Sequence, residues 1–482
     1  MPKKVILLGL GDVYWTRFIN KFSQALVQRG HPCVVVLESR LGEYQSLGRR
    51  GAYPGCSVYY LSDFVNDYRS EDLPCTDVFP VYCDYLRQYE LGVGKYLKHS
   101  FSDISSYVSA FADFVLAREA DAGILISDTV STGISYAFNR AAERAGVAYW
   151  GLSGSRISGH FIAAGTIDAE ADVVKRIYED IVSGRIPVTS EEESWARRYL
   201  ESIDRIAPDY MKSDILNSIS LSKYFRARYL RALLGGVLYQ LLEPKDCKGL
   251  VIRPSPVYAM LGSLWRSISR VFKARYAARI FNRLDGGEED GDYYIYPIHY
   301  QPEASTAVGS PYYCDQLSVI RNLAFSMPAG TLLYVKEHVS NIGFPSVSFY
   351  RALTGLPNVV LVSPQADMKN LIRHSKGVIT LTGTAGFEAL LLGRPAYYFG
   401  SVFYTYHSLA TRLGDWSFVR ELLAKKQIVE SNAVTDTCSY LIAYKRYCFE
   451  GVLDFTKDDF GISEKLLEMV SEFSDLSPSG SA

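Results

Sequence analysis

Three short stretches of the 482-residue chain concentrate groups suited to a charged, hydroxyl-rich ligand. The first is VITLTGTAGFEALLLGRP at 378–395. An apolar strand pattern ends near Thr382, and Gly383, Thr384, Ala385 and Gly386 lead directly into a helical pattern. A helix opening there aims its free amides and its positive dipole end at the space beyond the strand, which suits a phosphate or diphosphate. The glycines let backbone approach a ligand closely. The hydroxyls of Thr382 and Thr384 add donors. Glu388, read as part of the first turn, either stabilises the helix dipole or accepts hydrogen bonds from ribose hydroxyls. The second stretch is YVKEH at 334–338. Lys336 and His338 alternate with Glu337 and so share one face of a strand exit. There they could contact a diphosphate and offset the charge that grows on a departing nucleotide. The third is YPIHYQPEAST at 296–306, where His299, Gln301, Glu303, Ser305 and Thr306 crowd just past a strand. They either bind something polar or tie a loop together.

These stretches need a scaffold of parallel strands. KKVILLGLG reads as a strand, DVYWTRFINKFSQALVQRG as an amphipathic helix and HPCVVVLE as the next strand. Strand–helix–strand with glycines at the turns is the signature of a parallel sheet. Residues 45–100 read as irregular and rich in tyrosine. A helix, the strand AGILISD, a second helix and the strand VAYWGLSG follow. The alternation resumes at YYIYPIHY and runs through five strands to RPAYYFG. The expected class is α/β: two Rossmann-like parallel-sheet domains facing a cleft, with a helical middle segment. The expected division is 1–164 for an N-terminal acceptor domain and 165–285 for a mainly helical insertion. Residues 286–415 would form a nucleotide-sugar-binding domain, 416–475 C-terminal helices and 476–482 a flexible tail. In open parallel sheets ligands sit beyond the carboxyl ends of the strands, and this rule selects the three stretches above.

The same rule selects reactive groups in the N-terminal half. Asp12 follows the strand ILLGLG, Asp128 follows ILIS, and His160 lies past VAYWGLSG. Each could deprotonate an acceptor hydroxyl. Each aspartate is equally a good helix N-cap. No DxD motif of the metal-dependent transferases is evident, and no metal is expected.

Composition narrows the classes further. The net charge is −1, which gives no reason to expect nucleic acid. No apolar run reaches the roughly 18 residues that a membrane span requires. The lysine-led start MPKKVILLGLG has too short an apolar core for a signal peptide, with Asp12 where small residues would be needed. Eight scattered cysteines without a CxxC pair read as reduced thiols, hence a cytoplasmic protein. The stretch WRSISRVFKARYAARIFNRL at 265–284 carries six basic residues and no acid. Arg266, Arg270, Lys273, Arg275, Arg279 and Arg283 could hold it on an anionic membrane face. A solvated or interdomain helix is the alternative.

The run PIHYQPEAST, then YYCDQLSVIRNLAFSMPAGTLLYVKEH, then LTGTAGFEALLLGRP resembles the C-terminal half of bacterial capsule polysaccharide biosynthesis proteins, which include relatives of the β-Kdo transferases. The resemblance covers about 296–400. It implies a GT-B glycosyltransferase whose C-terminal domain holds a sugar nucleotide. The histidine of the family's KEHP-type motif falls on His338 and the phosphate-binding helix start on Thr384–Gly386. Val339 stands where the family usually has proline. A nucleotide sugar, CMP-Kdo-like or UDP-linked, would be the donor substrate. A growing surface glycan, free or lipid-linked, would be the acceptor, and no cofactor is implied. A sugar-nucleotide epimerase and a non-catalytic capsule assembly or export subunit are the alternatives on the same fold.

Overall fold

The computed structural model describes residues 3–9, 13–48, 51–74, 97–166, 169–206, 227–251, 254–281, 292–301, 304–425, 433–453 and 464–475. Asp12, Arg283 and Glu303 lie outside these residues, as does the side chain of Ser305.

The N-terminal half alternates β1 (Lys4–Leu8), α1 (Val13–Gln28), β2 (Cys33–Leu37), α2 (Arg40–Leu47), β3 (Cys56–Tyr60) and α3 (Leu61–Asp67). It continues with α4 (Phe101–Arg118), β4 (Ala122–Asp128), α5 (Gly133–Ala145), β5 (Ala148–Gly154) and β6 (His160–Ala164). The stretch read as irregular from residue 45 therefore contains a strand and a helix. Its strand is short and carries a serine and two tyrosines, CSVYY, so it offers little apolar periodicity. Fully buried parallel strands instead read as unbroken apolar runs, as in CVVVL of β2.

The middle is helical among the described residues: α6 (Ala169–Val182), α7 (Ser190–Glu201), α8 (Ala227–Leu242), α9 (Pro244–Lys248) and α10 (Pro256–Ala277). The second sheet is built from β7 (Tyr293–Pro297), α11 (Gln316–Ser326), β8 (Leu332–Lys336), α12 (Val347–Thr354), β9 (Val359–Val362) and α13 (Met368–His374). It continues with β10 (Gly377–Thr380), α14 (Thr384–Leu391), β11 (Ala396–Tyr398) and β12 (Ala410–Arg412). Then come α15 (Trp416–Ala424), α16 (Ala433–Tyr447), β13 (Phe449–Glu450) and α17 (Glu464–Asp475).

Strand order decides where ligands can sit. The first sheet runs β13-β6-β5-β4-β1-β2-β3 and the second β12-β11-β10-β7-β8-β9. Among the described residues only the two short edge pairings, β5–β6 and β6–β13, are antiparallel. In both sheets the chain builds outward in one direction, then crosses back and builds in the other. The reversal falls between β1 and β4 in the first sheet and between β7 and β10 in the second. At such a switch point the flanking connections leave in opposite directions and open a crevice at the strands' carboxyl ends. The α/β class expected from the sequence, two Rossmann-like parallel sheets with a helical middle, is the one observed.

Tertiary packing cuts across the sequence order. Helices α6 and α7 share a core with α16 and one face of the second sheet, through Val174, Ala196, Tyr440 and Tyr444. Helix α17 returns to the first sheet, burying Leu466, Leu467 and Val470 there. Arg29 pairs with Glu464 at 2.5 Å to hold it. Between the halves, the β5–β6 turn inserts Arg156, which pairs with Glu170 at 2.8 Å and lies 4.6 Å over the Phe403 ring. Tyrosine, abundant in the sequence, is core material: Tyr296, Tyr350, Tyr397, Tyr404, Tyr440 and Tyr444 are all nearly inaccessible.

Candidate functional site at the second switch point

The three chemistry-bearing stretches leave three adjacent strands, β10, β7 and β8. The fold thus gathers, at one edge of one sheet, segments separated by up to about eighty residues of chain.

His299 sits at the centre of this edge, but as a support. It is buried, and its Nε2 lies 3.0 Å from Thr380 Oγ1 and accepts from the Thr382 amide at 3.4 Å. Thr380 Oγ1 in turn accepts from the Gly383 amide at 2.9 Å. Nε2 can accept from both groups if the threonine hydroxyl donates to it, which requires a neutral ring with its proton on Nδ1, an atom that is buried without a hydrogen-bond partner. Burial, then the nearby His338, lower the His299 pKa to about 4, so the ring is neutral at physiological pH. Gln316 fixes the backbone: its Oε1 accepts from the His299 amide and its Nε2 donates to the His299 carbonyl and to Gln301 Oε1. Gln301 is thereby held at the rim. Thr306 is buried, and its carbonyl accepts from the Ser310 amide at 3.1 Å.

The turn into α14 rests on that support. An added Cβ at Gly383 would lie 2.8 Å from Thr380 Oγ1 and 3.1 Å from His299 Nε2. One at Gly386 would lie 2.2 Å from the Tyr404 hydroxyl, which donates to the Gly383 carbonyl at 3.0 Å. Both glycines are therefore required by protein packed beneath the turn. The sequence reading, in which they make room for a ligand, is corrected on this point. What faces outward is backbone. Gly383 is the N-cap of α14 and no side chain caps this helix, whereas α2, α4, α5, α7 and α11 to α13 are capped by Ser, Thr or Asp side chains. The leading amides of Thr384 and Ala385 have no acceptor inside the helix. Glu388 falls in the second turn, not the first, where a dipole interaction has largely decayed. Burial raises its pKa, against the pull of Lys369 and Lys336.

The β8 exit supplies cationic and donor groups. Lys336 Nζ donates to the Pro364 carbonyl at 3.0 Å. Burial lowers its pKa, while Glu337, Asp367 and Glu388 act in the opposite sense. Between Lys336 and His338, Glu337 turns inward and is buried. Its Oε1 accepts from the His338 amide at 2.8 Å and from Asn341 at 3.0 Å, and its Oε2 accepts from Tyr350 at 2.5 Å. The ring of His338 is exposed, and its Nδ1 accepts from the Ser340 amide at 3.2 Å. In the neutral ring this leaves the proton on Nε2 as the available donor.

Sequence reasoning gave no site role to the residues that set this geometry, Glu337, Gln316, Thr380 and Tyr404, and read Arg270 as a membrane contact. Arg270 donates from α10 to the Ser340 and Ile342 carbonyls, both at 2.7 Å, and so fixes the loop behind His338. Alternation about Glu337 offered one available signal, since it placed that carboxylate on the face opposite Lys336 and His338.

In the first sheet, Asp128 ends β4 next to the other switch point. Its carboxylate is 3.4 Å from Ser131 Oγ. His160 opens β6, which runs antiparallel to β5, so it reaches the same edge as Asp128. Its Nδ1 lies 3.0 Å from the Ser158 carbonyl.

The chain matches the family described as capsule polysaccharide biosynthesis protein over residues 252–447. No curated protein matches it. Among solved structures, the chain is similar to two from Thermosulfurimonas dismutans KpsC. The β-Kdo 2,7 transferase is 14% identical, covering 69% of this chain and 78% of that one, at a TM-score of 0.34. The β-Kdo 2,4 transferase is 13% identical, covering 67% and 79%, at 0.35. UDP-GlcNAc 2-epimerase from Methanocaldococcus jannaschii is 10% identical, covering 93% and 100%, at 0.25. The motifs that carry the sequence resemblance, from 296 to 400, all lie inside the span 252–447 that this family's model matches.

Proposed function

We propose that the protein is a GT-B glycosyltransferase that moves a sugar from a nucleotide donor to a growing surface polysaccharide of capsule or O-antigen type. The observation that carries this reading is the meeting of an uncapped helix start, at Gly383–Ala385, with the Lys336–His338 strand exit across one switch point. An uncapped helix start draws the negative charge of a diphosphate. Lys336 and the His338 Nε2–H offset the charge that builds on the nucleotide as the glycosidic bond breaks. Glu388 is the group for ribose hydroxyls. Helix dipole and basic side chains do the work that a divalent ion does elsewhere. The acceptor hydroxyl lies against the first sheet, where Asp128, Asp12 or His160 takes its proton. The donor is CMP-Kdo-like or UDP-linked, the acceptor is a glycan or a lipid-linked glycan, and the reaction takes place in the cytoplasm.

A thermal-shift panel of CMP, UDP, GDP and their sugars tests this. At about a hundred times its dissociation constant the correct nucleotide stabilises the fold by roughly 2.7 kcal/mol. The donor should be consumed only when a glycan acceptor is present. A protein that no nucleotide stabilises, or one that converts the sugar nucleotide without acceptor, is not this transferase.

A further inference from the structure

Helices α8 and α10 pack against each other and leave apolar outer faces uncovered. On α8, Leu234, Leu238, Leu241 and Leu242 are exposed, Leu241 at 74%. Their spacing places them on one face of the helix. On α10 the exposed stripe is Tyr258, Leu261, Leu264, Trp265 and Phe272, with Trp265 at 69%. The opposite faces are used: Tyr239 of α8 packs with Leu41, Cys247 and Leu250, and α10 buries Gly262 and Ala277.

The charges within these two helices all have one sign, and Glu243 follows directly after α8. Neither helix contains an acidic residue. Arg231 lies on the α8 stripe, Arg275 continues the α10 stripe past Phe272, and Arg279 follows just beyond the helix; all three are exposed. The sequence expectation, a membrane contact made by the six cations of 265–284, is altered by this placement. Arg270 and Lys273 point inward, donating to carbonyls of Ser340, Ile342 and Phe344. Only part of the basic set remains outside, and the apolar side chains outnumber it.

We infer that the outer faces of α8 and α10 form a docking surface for an anionic lipid bilayer. Leucine, tryptophan and phenylalanine side chains enter the boundary between headgroups and acyl chains, while Arg231, Arg275 and Arg279 meet lipid phosphates. No helix among the described residues is long and apolar enough to cross a membrane, so the surface lies on the bilayer. A second copy of the chain fits the same faces less well. It would bring arginines together with no carboxylate on either helix to receive them. The inner face of α10 also touches the loop behind His338. An added Cβ at Gly343, whose φ is 78°, would lie 2.4 Å from the Arg270 carbonyl. Docking would therefore hold the switch-point crevice at a fixed height above the lipid. The surface itself does not depend on the nucleotide assignment, and a protein that binds no nucleotide can still bind vesicles.

The experiment is co-sedimentation of the full chain with phosphatidylcholine vesicles, with and without a quarter of phosphatidylglycerol, at low and high salt. The protein should pellet with the anionic vesicles, and high salt should weaken this without abolishing it, because the apolar part is unscreened. Leu261→Glu combined with Trp265→Glu should reduce the partition coefficient roughly tenfold or more at either salt. Arg275→Glu with Arg279→Glu should weaken it chiefly at low salt. These side chains are exposed, so circular dichroism and melting should match the wild type. The inference is overturned if the wild type stays in the supernatant, or if the Leu261/Trp265 variant partitions equally. It is also overturned if the chain sediments as a dimer that this variant splits and that vesicles leave intact, which would make the face a self-interface.

Discussion

His299 and Thr380, eighty-one residues apart in sequence, lock the second switch point through one contact, Nε2 to Oγ1 at 3.0 Å. The hydroxyl also receives the Gly383 amide, so one neutral imidazole positions the helix start that we assign to the donor phosphates. Protonation would put an N–H where the Thr382 amide and the threonine hydroxyl both need an acceptor.

A pH dependence follows from that contact. Burial lowers the pKa of His299 from 6.5 to about 4, and does the same to His407, whose Nε2 meets Thr437. Between those values the unfolded chain binds protons that the folded chain refuses. Stability is therefore fully present above about pH 6.5 and is lost as pH falls toward 4, by at most about 3 kcal/mol for each ring. Glu337 and Glu388, raised by burial, act in the opposite sense, so the informative quantity is a difference. Denaturant unfolding of the wild type and of His299→Gln, compared at about pH 7 and about pH 4.5, should show a smaller loss in the variant. Equal losses would mean that His299 does not stay neutral in the fold.

Glycine at 386 answers to Tyr404. Gly386→Ala should destabilise the protein by about 1–3 kcal/mol, since the new methyl meets a packed hydroxyl. Tyr404→Phe should cost about 1 kcal/mol by orphaning the Gly383 carbonyl, yet it removes the tightest contact at 386, the hydroxyl at 2.2 Å, and leaves the ring carbon Cζ at 2.7 Å. The double variant should therefore be more stable than the sum of the single losses predicts. Additive losses in thermal or urea unfolding would remove Tyr404 as the reason for that glycine.

Donor and acceptor chemistry should fail separately. Lys336→Met and His338→Ala should each weaken nucleotide binding by about 1.5–3 kcal/mol, the size of a charge-assisted contact, and slow transfer with it. Asp128→Asn should leave nucleotide affinity nearly unchanged. If Asp128 is the base, turnover falls by roughly a hundredfold or more. Nucleotide titration beside a transfer assay reads both. Full activity in Asp128→Asn leaves Asp12 and His160 as candidates, while a loss of nucleotide affinity in it would contradict the division of labour.

Much of this protein can be read from its sequence because much of it is local. Apolar runs such as KVILL and CVVVL, glycines at turns and alternating helical patterns specify parallel β/α units wherever the chain ends up. The strand exits at 299, 336 and 382 are equally local, and the strand order brings them to one edge of the second sheet. Weakly patterned pieces were lost: β3, with its serine and tyrosines, and the short edge strands β6, β12 and β13, whose pairing comes from distant partners. The roles within the site were not local at all. His299 and Gln301 read alike as polar loop residues. The strand order places the first under the α14 turn, next to Thr380, and leaves the second at the rim. Glu337 reads as a charge between two cations, and only Tyr350 and Asn341, brought in by α12 and its loop, show that it is an internal tie. The glycines at 383 and 386 read as openings for a ligand, whereas His299 and Tyr404 fill the space their side chains would occupy. The arginines of α10 read as a single basic stripe, and docking on the 340–344 loop divides them between the interior and solvent. In each case the sequence determined which chemical group was present, and contacts across long stretches of chain decided which way it faced.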